Sequence, residues 1–238
     1  MKFIVSKDFF DKVSDAYFGV IVVKGFDNTK NYSFIDEEFD KNLDKCKSEF
    51  LGVKVKESDL IIPYRNAFLE LGINPNKYMC SIEALMTRIS KGHDIPRINS
   101  IVDLCNSLSL KYTLPIGAHD IDNFKGDIEI RCANSNDTFV PFNSEEEEVP
   151  DEGEFVYVSG NEVKTRRWTW RQGEKSKLTL ESTNLFIPID GFMSNKDKVE
   201  ALKEELVSFL KSENLEVVSG FVDKEHPIFE WNKYKLFE

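Results

Sequence analysis

Apolar side chains in the first half of the chain recur every three or four residues, which is the spacing of one face of an α-helix. Glycines follow three of these segments, as expected where a chain leaves a helix. Pro63 starts or interrupts the second segment, and Ser81 is the expected N-cap of the third. The pattern predicts helices over residues 36–51, 59–72, 81–92 and 99–108.

Strand-like patterns dominate from residue 126 onward, after one buried, β-branched run at residues 19–25. A hairpin turn is expected at Ser159-Gly160-Asn161. A helical first half followed by a β-rich second half predicts an α+β fold rather than an alternating α/β fold. The predicted strands are 127–132, 154–159, 163–172, 185–189 and 215–222, and a last helix is predicted over 198–210.

The composition is that of an ordinary soluble globular protein. Hydrophobic residues make up 41% and charged residues 31% of the 238 positions. No apolar run is long enough to span a bilayer, and the first ten residues lack the core of a secretory signal. Four cysteines and three histidines are dispersed without zinc spacing, so we expect reduced thiols and no metal. We also expect no cofactor, no membrane partner and a cytoplasmic location.

The charge is negative overall but unevenly distributed. A formal net charge of −11 argues against tight, non-specific binding to nucleic acid, and no DNA partner is expected. Residues 145–154 are strongly acidic, whereas residues 164–177 contain six cations against Glu174 alone. The acidic run predicts a solvated loop, and the basic segment leaves room for a local anion-binding face.

The first candidate site is a polar stripe on the helix predicted over 99–108. None of the familiar nucleotide-binding, serine hydrolase or zinc protease motifs is present, so softer patterns must be considered. Asn99, Asp103 and Asn106 fall on one helix face. Two amides and a carboxylate suit ligand binding, and the alternative is that they cap loops and satisfy neighbouring backbone.

The second candidate is the strand predicted over 163–172. Indoles flanked by cations can stack unpaired bases and neutralise phosphates. The alternative is that both indoles lie in the core, with the basic side chains at its edge. One predicted face carries Lys164, Arg166, Trp168, Trp170 and Gln172, and the other carries Arg167 and Arg171.

The third candidate consists of two histidine–aspartate pairs. His93 and Asp94 precede the polar helix, and His119 precedes Asp120. An imidazole beside a carboxylate can act in general acid–base catalysis. The alternative is that these side chains stabilise a helix end or face water.

Residues 97–133 resemble the B3/B4 tRNA-binding and editing module of the phenylalanyl-tRNA synthetase β subunit. That module reads close to RPINNVVDVTNYV, then GQPLHAFD, then a glycine and an I-x-V-R-x-A strand. Residues 3–28, 81–85 and 166–172 look like solo B3/B4 proteins, so the resemblance extends over most of the chain. The matching positions are Asn99, Val102, Asp103, Asn106, Pro115, Ala118, Asp120, Gly126, Ile128, Arg131 and Ala133.

The resemblance implies a B3/B4 fold and hydrolysis of the ester that joins a wrong amino acid to the terminal adenosine of tRNA. The editing pocket of the family uses a threonine, an asparagine, a histidine and a later glutamate. Asn106 keeps the asparagine, whereas Cys105 replaces the threonine and Gly117 replaces the histidine. His119 or His93 would then supply the base, or the reaction would proceed without a protein base.

The resemblance also implies two groups of binding residues. Asp190 is the nearest acidic candidate for the family glutamate, and Asp103 and Arg131 are an expected buried pair. The implied amino-acid pocket comprises Asn99, Asp103, Cys105, Gly117, Asp120 and Asp190. The side chains expected to frame it or hold the acceptor end of tRNA are Arg166, Arg167, Trp168, Trp170, Arg171 and Gln172.

We therefore expect one domain over 1–238, with an amino-terminal extension (1–60), a B3/B4 core (61–190) and a carboxy-terminal helix and strand (191–238). The leading hypothesis is a trans-editing aminoacyl-tRNA deacylase. It would not charge tRNA, since the chain leaves no room for a synthetase core. A non-catalytic tRNA- or amino-acid-binding module and a protein-interaction adaptor are the alternatives.

Overall fold

The computed structural model describes residues 1–231, and its longer helices follow the predicted apolar periodicity. All four helices predicted in the first half are present, and the last helix is longer at both ends than predicted. A short helix near the amino terminus lies outside the predicted set. The helices are α1 (Lys7–Lys12), α2 (Ser33–Phe50), α3 (Ile62–Glu70), α4 (Ser81–Ser90), α5 (Ser100–Tyr112) and α6 (Lys196–Ser212).

The glycines expected to end helices do so for a structural reason, whereas one predicted helix cap is wrong. Gly72 and Gly92, which follow α3 and α4, have φ values of 75° and 80°, where residues with a side chain are strained. The predicted cap of α4 is wrong by one position. Cys80 is the N-cap residue, and Ser81 is the first helical residue, whose N–H donates to the carbonyl of Thr169 at 2.9 Å.

The strands predicted in the second half are present, but the segment 163–172 is not one strand. It ends a strand at Arg166, turns through Arg167 and Trp168 with φ values of 46° and 57°, and resumes only at Arg171. The predicted alternation of side chains across two faces is therefore wrong beyond residue 166.

Three short strands near the chain ends and at residue 119 add to the predicted set. The strands are β1 (Lys2–Val5), β2 (Ala16–Lys24), β3 (His119–Asp120), β4 (Ile128–Cys132), β5 (Phe155–Ser159), β6 (Glu162–Arg166), β7 (Arg171–Gln172), β8 (Leu185–Phe192), β9 (Glu216–Val222) and β10 (Ile228–Glu230).

The strands form two sheets that combine both halves of the chain. The larger sheet has the order β10-β1-β4-β5-β6-β7, and the smaller has the order β3-β8-β2-β9. Strand β2 lies between β8 and β9, with both pairings antiparallel, and all but its last residue are buried. The fold is α+β, but its sheets are completed by strands from the amino-terminal segment.

A main apolar core joins most of these elements, and a smaller apolar cluster is formed by Ala133, Phe139, Val156, Val158 and Val163. The main core extends from Phe3 on β1 to Trp231, and includes Phe39 of α2, Leu108 of α5 and Leu206 of α6. Residues 1–60 thus supply a central strand and core side chains rather than an appendage. None of the helices in residues 1–231 is both long and apolar enough to cross a membrane.

Candidate functional site

The predicted polar stripe on α5 divides into two structural residues and one free residue. Asn99 is the N-cap of α5: its Oδ1 accepts from the N–H of Val102 at 3.1 Å, and its Nδ2 donates to the carbonyl of Leu178 at 3.3 Å. Asp103 accepts from the N–H of Ile98 at 2.9 Å. Burial raises the pKa of this carboxyl. Both side chains therefore hold the start of the helix.

Asn106 is the member of the stripe that remains available to a ligand. Its side-chain amide makes no hydrogen bond to any residue within 1–231, and it lines a pocket of about 320 Å³. Amides rarely stay unpaired against a protein wall unless water or a ligand reaches them. We call this cavity the Asn106 pocket; its wall is formed by Ile98, Val102, Cys105, Asn106, Ile116, Ala118, Phe142, Asn143, Gln172, Lys177 and Leu178.

The Asn106 pocket has a largely apolar wall with one cationic side chain, which suits a small organic group. Most of the side chains are apolar, and Lys177 is the cation among them. Cys105 is buried, and burial raises its pKa to about 12, so it presents a neutral thiol rather than a nucleophilic thiolate. The volume falls in the range usual for small-ligand sites.

A second, smaller cavity shares Ile116 and Gln172 with the Asn106 pocket. It has about 80 Å³ of internal space, enough for a few water molecules at about 10–15 Å³ each. We call it the Asp190 cavity. It is lined by Ser81, Pro115, Ile116, Gly117, His119, Tyr157, Thr165, Trp168, Thr169, Trp170, Arg171, Gln172, Pro188 and Asp190.

Asp190 is held rigidly at the wall of this cavity. Its Oδ1 accepts from the hydroxyl of Tyr157 and from Nε1 of Trp168, each at 2.6 Å. Its Oδ2 has no partner among residues 1–231. Burial, opposed by these two hydrogen bonds, raises the pKa of Asp190 to about 7. The group can therefore exist in either protonation state near neutral pH.

The structure separates the two histidine candidates. His119 is 1% exposed, lines the Asp190 cavity, and lies with Nδ1 3.4 Å from Nε2 of Gln172. Burial, reinforced by the charge of Lys164, lowers its pKa to about 3, so it is neutral at physiological pH. His93 is exposed in the turn after α4 and lines neither cavity.

Gly117, where the resembling family has its histidine, has little space for a side chain. A Cβ built on it would lie 3.1 Å from Nε2 of His119 and 3.2 Å from Cγ of Pro188. Asp120 is likewise committed to structure, since its Oδ2 accepts from the hydroxyl of Ser182 at 2.7 Å and its Oδ1 accepts from the N–H of Asp122.

Arg166 and Arg167, expected to contact RNA, are buried and ion-paired. Arg166 makes a bidentate contact with Glu154 at 2.9 and 2.7 Å and also reaches Glu148. Arg167 pairs with Asp151 and Glu154. Their guanidinium groups fix the acidic loop to the sheet, because buried charges need partners.

The rest of the basic segment divides between core and surface. Trp168 is fully buried, with its ring 5.4 Å from that of Phe9, and Trp170 packs edge-on against Tyr78 at 4.7 Å. Arg171 is exposed at the Asp190 cavity and has no acidic partner within residues 1–231. Among the three arginines expected to hold the acceptor end of tRNA, Arg171 is the one that is exposed and not ion-paired within residues 1–231, so it is placed to meet an anion.

Two further sequence expectations need revision. Arg131 does not pair with Asp103: it binds Asp137 through both terminal nitrogens, at 2.7 and 2.9 Å. The ion-pair partner of Asp103 is Arg97, at 3.7 Å. Gln172 faces inward rather than toward solvent, since its Nε2 donates to the carbonyl of Ala118 at 2.8 Å.

Sequence reasoning missed several residues that complete the site. Tyr157 and Thr169 line the Asp190 cavity, and Ile116 and Lys177 line the Asn106 pocket. Tyr157 sits in an ordinary apolar strand pattern. Thr169 and Lys177 belong to the segment singled out for its charge, but only the turn at residues 167–170 aims Thr169 inward.

Comparison with known proteins identifies the family of this chain. The family model described as B3/4 domain matches residues 63–212. The chain belongs to the B3/4 domain family. The match includes α5, the segment 115–120 and β8, and it extends past the carboxy-terminal bound of 190 expected for the core.

One solved structure of similar fold is an N-terminal fragment of the phenylalanyl-tRNA synthetase β-subunit from Pyrococcus horikoshii. The two share 11% sequence identity with a TM-score of 0.47, over 90% of this chain and 49% of that one. This B3/4 protein thus spans about half the length of that fragment. No curated protein matches it in sequence.

Proposed function

We propose that this B3/4 protein binds the aminoacylated end of a tRNA and hydrolyses the ester of a misplaced amino acid. The observation that carries the proposal is the unpaired amide of Asn106 in a pocket built largely by the matched family segment. The side chain of the amino acid would occupy the Asn106 pocket. Its ester would lie at the wall shared with the Asp190 cavity, beside Ile116 and Gln172.

The charges around the two cavities support an anionic ligand, although the whole chain is acidic. Arg171 borders the Asp190 cavity and Lys177 borders the Asn106 pocket. Lys177 pairs with Glu174 at 3.2 Å, with both side chains partly exposed, so a phosphate can compete for it. These two cations would receive the terminal phosphates of the acceptor strand.

The ester itself requires little activation. An aminoacyl ester is a reactive acyl group, and a neighbouring ribose hydroxyl can assist proton transfer if a water is held in line. His119 contributes little as a base, because a group with a pKa of about 3 is almost wholly unprotonated but weakly basic. The neutral ring instead contributes shape and hydrogen bonding.

A non-catalytic binding module is the second candidate. It is favoured by the loss of the family histidine at Gly117 and by the close packing there of His119 and Pro188. Such a module would retain the Asn106 pocket and the bordering cations but release no amino acid.

Deacylation of a panel of correctly and wrongly charged tRNAs tests the proposal. Each reaction would be compared with Asn106→Ala and with an enzyme-free blank, since the ester also hydrolyses spontaneously. Asn74→Ala is a surface amide control, because Asn74 is exposed, lines neither cavity and accepts only from the nearby N–H of Asn76. Release above blank that Asn106→Ala abolishes and Asn74→Ala retains is the expected result.

The other outcomes are equally informative. No release from any member of the panel, together with binding that Arg171→Glu weakens and salt reduces steeply, would replace hydrolysis by the binding module. If neither release nor RNA binding is detected, both proposals are refuted.

A further inference from the structure

We propose that Asp190 is the general base of this deacylase, and that the hydroxyl of Thr169 positions the water from which Asp190 takes a proton. The inference rests on the proposed function and assigns to it a base and a water site. It adds a catalytic role for a carboxyl expected only to bind substrate.

The hydrogen bonds of Asp190 leave one oxygen for a reactant. Both protein donors, the Tyr157 hydroxyl and the Trp168 indole N–H, go to Oδ1 at 2.6 Å. Oδ2 has no partner among residues 1–231, and the residue lines a cavity of water-sized dimensions. A base whose orientation is fixed through one oxygen while the other faces the reaction space is well organised for proton transfer.

Thr169 provides the second, independent observation. Its Oγ1 is buried and has no hydrogen-bond partner among residues 1–231, and Thr169 lines the same cavity. An unpaired buried hydroxyl is unfavourable unless a water or ligand satisfies it. A water bound between this hydroxyl and Oδ2 of Asp190 would satisfy both groups.

The exposed Arg171 also lines the cavity, which therefore reaches the surface where an acceptor end would arrive. The wall shared with the Asn106 pocket places the water beside the expected ester. No such route leads to Asp120 or Asp103, whose carboxyl oxygens are already bound to the protein.

The reaction balances with these groups alone. Asp190 takes a proton from the water while the water oxygen bonds to the ester carbonyl carbon. The tetrahedral intermediate then breaks its bond to the ribose oxygen, and the proton held by Asp190 passes to that oxygen. The products are the free amino acid and a tRNA with its terminal hydroxyl restored.

Asp190 and the titratable groups packed around it differ in one respect: only the charge of Asp190 changes near neutral pH. Tyr157 and Tyr64 have pKa values raised by burial, and burial raises that of Cys80 to about 12, so all three are neutral. His119 is neutral for the opposite reason, since burial lowers its pKa to about 3. Arg171 lines the opening of the cavity.

The test compares deacylation and binding in the full chain, using the best substrate of the panel. Asp190→Asn keeps an oxygen that can accept from Tyr157 and Trp168 but cannot act as a base. Binding is measured with a non-hydrolysable tRNA whose amino acid is joined through an amide. We expect kcat to fall about 100-fold or more in Asp190→Asn, with Kd unchanged within about threefold.

Two further readouts separate catalysis from a structural role. In the wild-type protein kcat should rise with pH, reach half its maximum near the Asp190 pKa of about 7 and level off at higher pH, and this rise should be missing in Asp190→Asn. Thr169→Val should lower kcat without loss of stability, and Thr169→Ser should restore it. Glu83→Gln, which alters a buried carboxyl outside the Asp190 cavity, should leave kcat unchanged.

The inference is overturned, with the proposed function intact, if Asp190→Asn retains wild-type kcat or if its rate and binding fall together. If the wild-type protein releases no amino acid from any substrate, the proposed function fails and the assignment of a base fails with it.

Discussion

Asp190 should make the protein less stable as pH rises, and replacing it with asparagine should remove that loss. The pKa of Asp190 is raised from 3.8 to about 7 in the folded protein. A raised pKa means that folding favours the protonated carboxyl. The stabilisation is complete below the unfolded pKa of 3.8 and is lost as pH rises through the folded pKa of about 7.

The magnitude follows from the size of the shift. Ionising Asp190 in the folded chain costs about 4 kcal/mol above pH 7, and about 3 kcal/mol of this accumulates between pH 5 and pH 8. Asp190→Asn carries no charge and retains an acceptor for Tyr157 and Trp168. The difference in the free energy of unfolding, variant minus wild type, should therefore increase by about 3 kcal/mol from pH 5 to pH 8.

Urea unfolding of both proteins at pH 5, 6, 7 and 8 measures this difference. The contribution of His119 cancels, because both proteins contain it. Glu70→Gln, at an exposed position, is the control for the carboxyl-to-amide substitution itself. A wild-type-to-variant difference that is equal at pH 5 and pH 8 would refute the reasoning about Asp190.

We expect the Asp190→Asn variant to be more stable than the wild type at pH 8 and also less active. A variant that unfolds less readily but no longer hydrolyses its substrate cannot owe its inactivity to misfolding. Active sites commonly carry such a cost in stability, because the chemistry needs a group that the fold would otherwise keep neutral.

Further predictions concern the surroundings of the site. His119→Gln should reduce the loss of stability on acidification from pH 6.5 toward pH 3, because a buried neutral imidazole must otherwise be protonated on unfolding, as pH-dependent urea titrations would show. Asn99→Ala should lower the free energy of unfolding by about 1 kcal/mol through loss of the α5 cap, measured by urea unfolding. Glu145→Gln with Glu146→Gln should tighten tRNA binding at low salt, because both carboxylates are exposed in the loop that lines the Asn106 pocket; unchanged affinity would place the RNA elsewhere. Gly117→Ala should lower the melting temperature, since its Cβ would press on His119.

The local sequence determined most of the helices and strands, because their signals act over a few residues. Several helix ends were predicted to within three residues from the apolar spacing between residues 36 and 108 and from the glycines at 72 and 92. The short strands β1, β3 and β10 were not predictable in this way. They are strands because partners distant in the chain supply their hydrogen bonds, as in the pairing of β1 with β4 and β10.

The same division applies to the candidate site. The polar residues of α5 were visible as a stripe, and Asn106 was singled out in the sequence. Asn99 and Asp103 are consumed by backbone N–H groups three and five residues away in the chain, and Asn99 also donates to the distant carbonyl of Leu178. Only the tertiary structure shows that Asn106 finds no partner within residues 1–231 and lines a pocket. A helical pattern fixes which residues share a face, but it does not show which of them bind nearby backbone and which face a cavity formed by other parts of the chain.

The charged segment shows most clearly what sequence could not decide. Its composition indicated an anion-binding strand, but left-handed backbone at Arg167 and Trp168 breaks the alternation on which that prediction depended. The glutamates of the preceding loop then neutralise Arg166 and Arg167, and the buried indole of Trp168 becomes a donor to Asp190. Residue types were set by the sequence, whereas burial and pairing, which control charge and pKa, arose only when the two sheets came together.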